Sequence, residues 1–379
     1  MRKVFAGHPS VITGLGFTVE DNYHALYEGR SAISAESFHD MPATAARIPD
    51  AALTSAWESF HGPADATRLE KLFLLSVSES VMKSGIDVKS GRTALVISTT
   101  KGNVGELSRM REPSNRVRLS DMAGFLAGEL HFGSSPLIVS NACVSGISAI
   151  AVAKELIASG SADHAVVSGG DVITDFVLSG FLSFRAVSDV PCTPFDAGRK
   201  GLSLGEGCAT LVLSADAGIF GKGHAVEVAG CATSNDANHI SGPSRDGSGL
   251  FLAVKNAMNA ARVSAEDIRS VSAHGTGTAY NDEMESKAFT LASLQNTPLY
   301  SLKGSIGHTL GAAGMIESVM AIESMLRNEV FISKGYSTCG VPMPLNVTTA
   351  SGPLDNGVCL KTASGFGGSN AAAVFRRID

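Results

Sequence analysis

Val139-Ser140-Asn141-Ala142-Cys143-Val144-Ser145-Gly146-Ile147 is the stretch on which the reading of this chain turns. Ahead of it, Leu137-Ile138-Val139 has the character of a short buried strand. A turn of small residues follows, then a helical segment with no charge before Lys154. Cys143 thus stands where a strand hands over to a helix. A thiol there feels the helix dipole and unpaired backbone N–H groups, which favour its thiolate, so Cys143 is a candidate nucleophile. The competing reading is a buried free cysteine acting as a small hydrophobe.

A later segment mirrors this one. Leu299-Tyr300-Ser301-Leu302 reads as a strand, runs through Lys303-Gly304-Ser305-Ile306-Gly307-His308, and enters a helix apolar at Leu310, Met315, Ile316, Val319, Met320 and Ile322. One unit delivers a Cys, the other a His, to a helix start. Strands at Thr93–Thr99, Ala165–Val167, Ala209–Leu213, Ala225–Ala229 and Ile268–Ala273 alternate with helical patterns at 21–30, 66–84 and 247–263, which implies α/β units with mostly parallel sheets. Helices apolar nearly all round belong between two sheets. The expectation is a duplicated α/β architecture with halves at 1–222 and 223–379. Val4–Phe5 and Val11–Thr13 read as two short strands, and 31–64, with Pro42, Pro49 and Pro63, as irregular.

Across 379 residues, 44% are hydrophobic and 17% charged, enough for a large core, and 41 glycines imply many tight turns. A net charge of −6 gives no case for nucleic acid. The uncharged run from Leu130 to Ala153 contains His131, Pro136 and Asn141 and does not suit a membrane span. Arg2 and Lys3 are followed by His8, Pro9 and early glycines, not by the apolar core of a signal peptide. Cys143, Cys192, Cys208, Cys231, Cys339 and Cys359 form no C-x-x-C pair, which argues against zinc and disulfide frameworks and for a reduced, cytoplasmic setting. Gly14-Leu15-Gly16 lacks the third glycine of a dinucleotide fingerprint.

Two histidines sit in open settings: His274 in Ser272-Ala273-His274-Gly275-Thr276-Gly277-Thr278, past a strand end, and His308 at a helix start. Strand ends beside helix starts are where α/β folds place their sites. Near the C-terminus, Ser364-Gly365-Phe366-Gly367-Gly368-Ser369-Asn370 reads as a glycine-rich turn or as backbone N–H groups able to hold an oxyanion.

In this order, these stretches resemble the β-ketoacyl-acyl-carrier-protein synthases of the thiolase superfamily. The resemblance spans nearly the whole chain. It rests on Ala142–Gly146, Pro194-Phe195-Asp196-Ala197-Gly198-Arg199-Lys200-Gly201 through Gly205-Glu206-Gly207, the His274 stretch with Asp282 and Glu285, Lys303 with Gly307–Gly314 and Glu317, and the Phe366 loop. It implies a five-layer αβαβα thiolase-like fold, no cofactor and no metal, with substrates carried on the phosphopantetheine of an acyl carrier protein. Cys143 would take the acyl group, and the N–H groups of Cys143 and Phe366 would hold the oxyanion. His274 and His308, donating from Nε2, would hold the enolate formed when a malonyl thioester loses CO2. By the same resemblance Lys303 supports the His308 loop through Asp282, Glu285 or Glu317. Thr276 and Thr278 meet the pantetheine arm, Phe366 gates the two steps, and Arg68 and Lys71 face the carrier, with Arg109 to Arg118 extending that patch. A homodimer, or a heterodimer with a related subunit, follows from the family.

Three positions depart from the family pattern: Leu202 and Ser364 stand where aromatics are expected, and Ser272 where Asn is frequent. The segment from Lys101 to Met122 also looks short. A differently shaped pocket suggests a specialised acyl chain such as an aryl or polyene intermediate. A coenzyme A thiolase would need a second catalytic Cys in a C-terminal turn, where Gly365–Gly368 stands instead. A non-catalytic synthase-like subunit would lack the nucleophile, and Cys143 is present.

Overall fold

The computed structural model describes residues 2–38, 40–108, 115–236 and 242–378. Ten strands form its main sheet. The first five are β1 (Phe5–Thr13), β2 (Thr93–Ser98), β3 (Leu137–Val139), β4 (His164–Asp171) and β5 (Gly207–Ser214). The second five are β6 (Val226–Asn235), β7 (Ser270–Ser272), β8 (Leu299–Tyr300), β9 (Val358–Gly365) and β10 (Ser369–Arg377).

The two sets repeat one pairing scheme. β1 pairs antiparallel with β5 and β5 with β4, while β4, β2 and β3 run parallel. Likewise β6 pairs antiparallel with β10 and β10 with β9, while β9, β7 and β8 run parallel. Each strand of one set thus has its counterpart five strands later. The sets meet where Phe5 lies opposite Glu227 and Ala6 opposite Val226. The duplication expected from the mirrored turns is therefore a property of the backbone.

Eight helices matter for the site: α1 (Arg68–Ser84), α2 (Leu119–Glu129), α3 (Ser145–Ala158), α4 (Asp175–Ser183), α5 (Ser248–Ala261), α6 (Ala279–Leu291), α7 (Lys303–Ile306) and α8 (Ala313–Arg327). Leu69, Leu72 and Phe73 of α1 and Met122 of α2 pack on Leu95, Val166 and Val212 of the first set. Leu250 and Val254 of α5 and Phe289 of α6 pack on Val271, Leu360 and Val374 of the second. Between the sets lie Ile147 and Ile150 of α3 and Met315, Ile316 and Val319 of α8, against Val167 and Leu211 on one side and Ala363 and Phe375 on the other. This gives five layers, αβαβα. It also explains why these strands read as continuous apolar runs, because both faces are covered.

Two expectations need correction, and a third falls outside the described residues. Val4–Phe5 and Val11–Thr13 belong to one strand, β1, whose register shifts between Gly7 and Ser10, around His8 and Pro9. The segment 31–64 is ordered into a hairpin, Ile33–Phe38 with Met41–Ala46, and a helix, Asp50–Phe60. Its prolines lie at element boundaries, where their missing N–H costs little: Pro42 near the hairpin turn and Pro49 at the helix N-cap. Arg109 and Arg111 of the basic segment lie outside the described residues.

Candidate active site

The turn before α3 is closed by its own residues. Ser145 Oγ accepts from the Asn141 N–H at 2.8 Å and donates to Ala142 O at 2.6 Å. Ala142 is held at φ +44°, in the left-handed region that a residue with a Cβ seldom occupies, so local strain sits immediately before Cys143. α3 and α8 touch at glycines: a Cβ on Gly146 would lie 2.4 Å from Met315 N, and one on Gly314 would lie 2.7 Å from Ile147 N. The close crossing brings the starts of the two buried helices together, and with them Cys143 and His308.

Cys143 is 7% exposed, and a ring nitrogen of each of His274 and His308 lies with its Sγ inside a 4.8 Å cluster. The imidazole rings stand 5.1 Å apart at 84°. The Leu310 N–H donates to His308 Nδ1 at 3.1 Å. Lys303 Nζ lies 3.3 Å from His274 Nδ1. Both partners are donors only, so both Nδ1 atoms accept and both Nε2 atoms carry the ring proton. Burial, and then the Lys303 ammonium, hold both imidazoles well below the usual histidine range, so both are neutral. Two neutral N–H donors facing a thiol suit a developing oxyanion.

Burial pushes the Cys143 thiol up to about 11, against the pull of Lys303. Desolvation is the largest influence on this thiol and opposes the thiolate that a helix start favours.

Lys303 is wholly buried and donates to Glu317 Oε1 at 2.5 Å and to His274 O at 2.6 Å. Of the three carboxylates suggested for it, Glu317 is its ion-pair partner, and it braces His274 instead of the His308 loop. Glu285 accepts from the His274 N–H at 2.8 Å and the Gly275 N–H at 2.6 Å. Asp282 accepts from the Phe195 N–H at 2.7 Å and the Thr276 N–H at 3.0 Å. Both carboxylates therefore shape the loop after β7. Burial raises both pKa values, and for Glu285 the charge of Asp282 adds to it. Thr276 and Thr278 share a 2.9 Å hydroxyl hydrogen bond on this loop.

The Phe366 loop closes on the nucleophile turn: a Cβ on Gly365 would lie 3.0 Å from Cys143 N. Phe366 is 38% exposed, stacks on Phe181 at 5.6 Å and meets Phe184 edge-on at 5.5 Å. Ser364 Oγ donates to Asn370 Oδ1 at 2.8 Å, and Leu202 packs in a cluster with Val177 and Leu178 of α4.

Arg68, expected to face the carrier, is engaged within the chain. Its guanidinium binds buried Glu206 at 2.7 Å and Asp50 at 2.6 Å, which makes it a clamp between α1 and the chain before β5. Lys71 extends over Trp57, with Nζ 5.4 Å from the ring centre. Arg116 is tied to Asp65 at 2.7 Å and Glu70 at 3.0 Å and is likewise no free landing charge.

Two residues escaped the sequence reading. Asp171, at the end of β4, accepts from Thr99, Thr100 and the Gly311 N–H and so anchors the turn after His308. Lys361 of β9 is wholly buried and pairs with Glu317 Oε2 at 2.6 Å. A lone charge inside each of two apolar strands was the available signal.

Residues 10–217 match the model of the β-ketoacyl synthase N-terminal domain and residues 225–333 that of the C-terminal domain. The chain belongs to the β-ketoacyl synthase family. Among relatives of this synthase, 3-oxoacyl-[acyl-carrier-protein] synthase 2 of Vibrio cholerae is 27% identical over 100% of this chain and 99% of its own. Putative polyketide beta-ketoacyl synthase 1 of Streptomyces cyaneus is 31% identical over 82% of each chain. The crystal structure of a beta-ketoacyl synthase from Burkholderia phymatum superposes with a TM-score of 0.88 at 26% identity, covering 100% of both chains. The thiolase-like layering of this synthase is thus that of known ketosynthases.

Proposed function

We propose that the chain condenses an acyl group held on Cys143 with a malonyl thioester, both delivered on an acyl carrier protein. One observation carries this reading: both imidazoles beside Cys143 have Nδ1 engaged by a donor, which leaves two Nε2–H groups to donate where a thioester oxygen becomes negative.

In the first half-reaction the Cys143 sulfur attacks the acyl carbonyl and the pantetheine sulfur leaves with the thiol proton. In the second, the malonyl carboxylate departs as CO2 and the electrons of the broken C–C bond pass into an enolate. Its oxygen is held by His274 and His308 while its carbon attacks the acyl-Cys143 carbonyl and expels the Cys143 thiolate. That thiolate takes up a proton from solvent. The sum is acyl-S-carrier plus malonyl-S-carrier plus H+ giving 3-oxoacyl-S-carrier, free carrier thiol and CO2. Thr276 and Thr278 hold the pantetheine, and Phe366 separates the two half-reactions.

Intact mass spectrometry tests the reading. Incubation with an acyl carrier should add the acyl mass to Cys143, and malonyl carrier should then clear it as a product two carbons longer. An adduct elsewhere, or one that persists in Cys143→Ala, overturns it. A coenzyme A thiolase is disfavoured because Cys359 is buried inside β9 and the C-terminal turn holds Phe366. The reading places the enzyme in the cytoplasm as a dimer. Support for the dimer comes from β3, which ends the sheet with Leu137 41% exposed. A second copy or a related synthase-like chain would cover that edge.

A further inference from the structure

Two lysines without any exposure share one buried carboxylate: Lys303 on Glu317 Oε1 and Lys361 on Glu317 Oε2. Lys361 Nζ also lies 3.1 Å from Ser272 O and 3.1 Å from Ala273 O. Lys303 holds the next carbonyl, His274 O. Three consecutive carbonyl oxygens leading into His274 are thus gripped by two ammonium groups bridged through Glu317. Lys303 has three hydrogen-bond acceptors and no donor left over, while Lys361 donates to two carbonyls and adds an ion pair to Glu317 Oε2. Glu285 fixes the same residue from its N–H side.

Burying three ions here costs more desolvation than a single, closed pair would. Within this triad two cations face one anion, in a region where water screens them little, and both ammonium groups act on the imidazole.

We propose that Lys361 is a positioning residue for His274, fixing the strand end that carries it for the malonyl half-reaction. The proposal rests on the condensing reaction given above. Its electrostatic side follows from the groups around His274: Lys303 from α7, Lys361 from β9 and Glu317 from α8, with Glu285 and Asp282 from α6 and the neutral His308 beside it. Lys303 and Lys361 both disfavour protonation of His274. Removing Lys361 takes away one of these and leaves Glu317 to compensate Lys303 alone, so protonated His274 becomes easier to form. Its Nε2–H then still donates, but the proton bound at Nδ1 must displace the Lys303 contact and rotates the ring out of register.

The test compares wild type, Lys361→Met and the double variant Lys361→Met/Glu317→Gln, after circular dichroism and thermal melts have shown each folded. Acyl loading of Cys143 and malonyl decarboxylation are followed separately by mass spectrometry and CO2 release. In Lys361→Met, loading should stay within about three-fold, while kcat for decarboxylation falls on the order of ten-fold or more at little-changed malonyl-carrier KM. The acid limb of its pH profile should move up by about half a pH unit or more. The 15N ring signals of His274 should titrate at correspondingly higher pH, a readout that needs no turnover. Equal losses in both half-reactions, or lower rates with an unmoved acid limb and unmoved ring titration, overturn the proposal and reduce Lys361 to packing. If Lys361→Met does not fold, the double variant decides: it removes one cation with one anion, so His274 should titrate near its wild-type pH, and a titration moved to lower pH, as if only the Glu317 anion had been felt, overturns the electrostatic role. Absence of decarboxylation in wild type would instead sink the condensing reaction itself, while the ring titration would still report on Lys361.

Discussion

Lys303 grips His274 at two points, Nζ lying 2.6 Å from its carbonyl oxygen and 3.3 Å from its Nδ1. One ammonium therefore sets both the place of the backbone and the tautomer of the ring. The sequence resemblance had linked Lys303 to His308; the geometry links it to the other histidine. Lys303→Met should lower malonyl decarboxylation by about a hundred-fold, the scale of losing a well-placed proton donor, while Cys143 still accepts acyl groups. Loss of a cation that disfavours His274 protonation should also raise the acid limb of the rate profile. Separate assays of the two half-reactions check this, and equal damage to both would contradict it.

The Cys143 thiol gives a second prediction, in pH. Burial raises its pKa to about 11, so the neutral thiol is the form favoured by folding below that pH. At pH 7.5 roughly one site in three thousand then carries a thiolate. The rate of alkylation by iodoacetamide should therefore climb about ten-fold per pH unit from pH 7 to 10 without a plateau. A plateau reached near neutrality would mean that the dipole of α3 dominates after all.

Much of this is legible in the sequence alone. Mirrored strand–turn–helix units named the two helix starts, because a tight small-residue turn beneath an uncharged helix has few other uses. The duplication could be read for the same reason, and Cys143, His274 and His308 do converge. What stayed hidden depends on distance through space. Nothing at Glu317 says that it meets two lysines arriving from α7 and β9, and nothing at Arg68 says that Glu206, far along the chain, lies under it. Burial misled the pKa expectation at Cys143, since a local turn motif carries no measure of the solvent excluded by four surrounding layers. In 31–64 the prolines masked a hairpin and a helix because they fall at boundaries, which composition does not distinguish from interiors.

Arg68 and Lys71, expected to act together toward a carrier, should now behave differently. Arg68→Glu places a carboxylate against Glu206, which is 1% exposed, and Asp50. Loss of a partner to a buried charge costs about 3–5 kcal/mol, so this variant should melt well below wild type and lose activity on carrier and pantetheine mimic alike. Lys71→Glu should leave the melt unchanged within about 0.5 kcal/mol and raise KM for the carrier substrate alone. Thermal denaturation with paired kinetics on the two substrates tests both. An Arg68→Glu protein of normal stability with a pure KM defect would return Arg68 to the carrier surface.

Phe184 is 58% exposed yet meets Phe366, which in turn stacks on Phe181, so three rings line the approach to Cys143. Leu202 and Ser364, at positions where the family resemblance leads one to expect aromatics, are buried against Val177 and Leu178 and hydrogen-bonded to Asn370 respectively. We propose that the ring cluster suits an extended, flat acyl chain such as the aryl or polyene intermediate expected from the sequence. An aromatic contact adds about 0.5–1.5 kcal/mol beyond area, equivalent to about two- to ten-fold in kcat/KM. Phe184→Ala should thus cost conjugated acyl carriers a factor in that range and leave saturated C6–C14 carriers within about two-fold. Competition between the two substrate classes in one reaction, read by mass spectrometry, removes differences in enzyme concentration from the comparison. Wild type that extends saturated chains as well as or better than conjugated ones would refute the preference outright. Equal losses on both classes in Phe184→Ala would instead assign the ring to gate motion shared by all substrates.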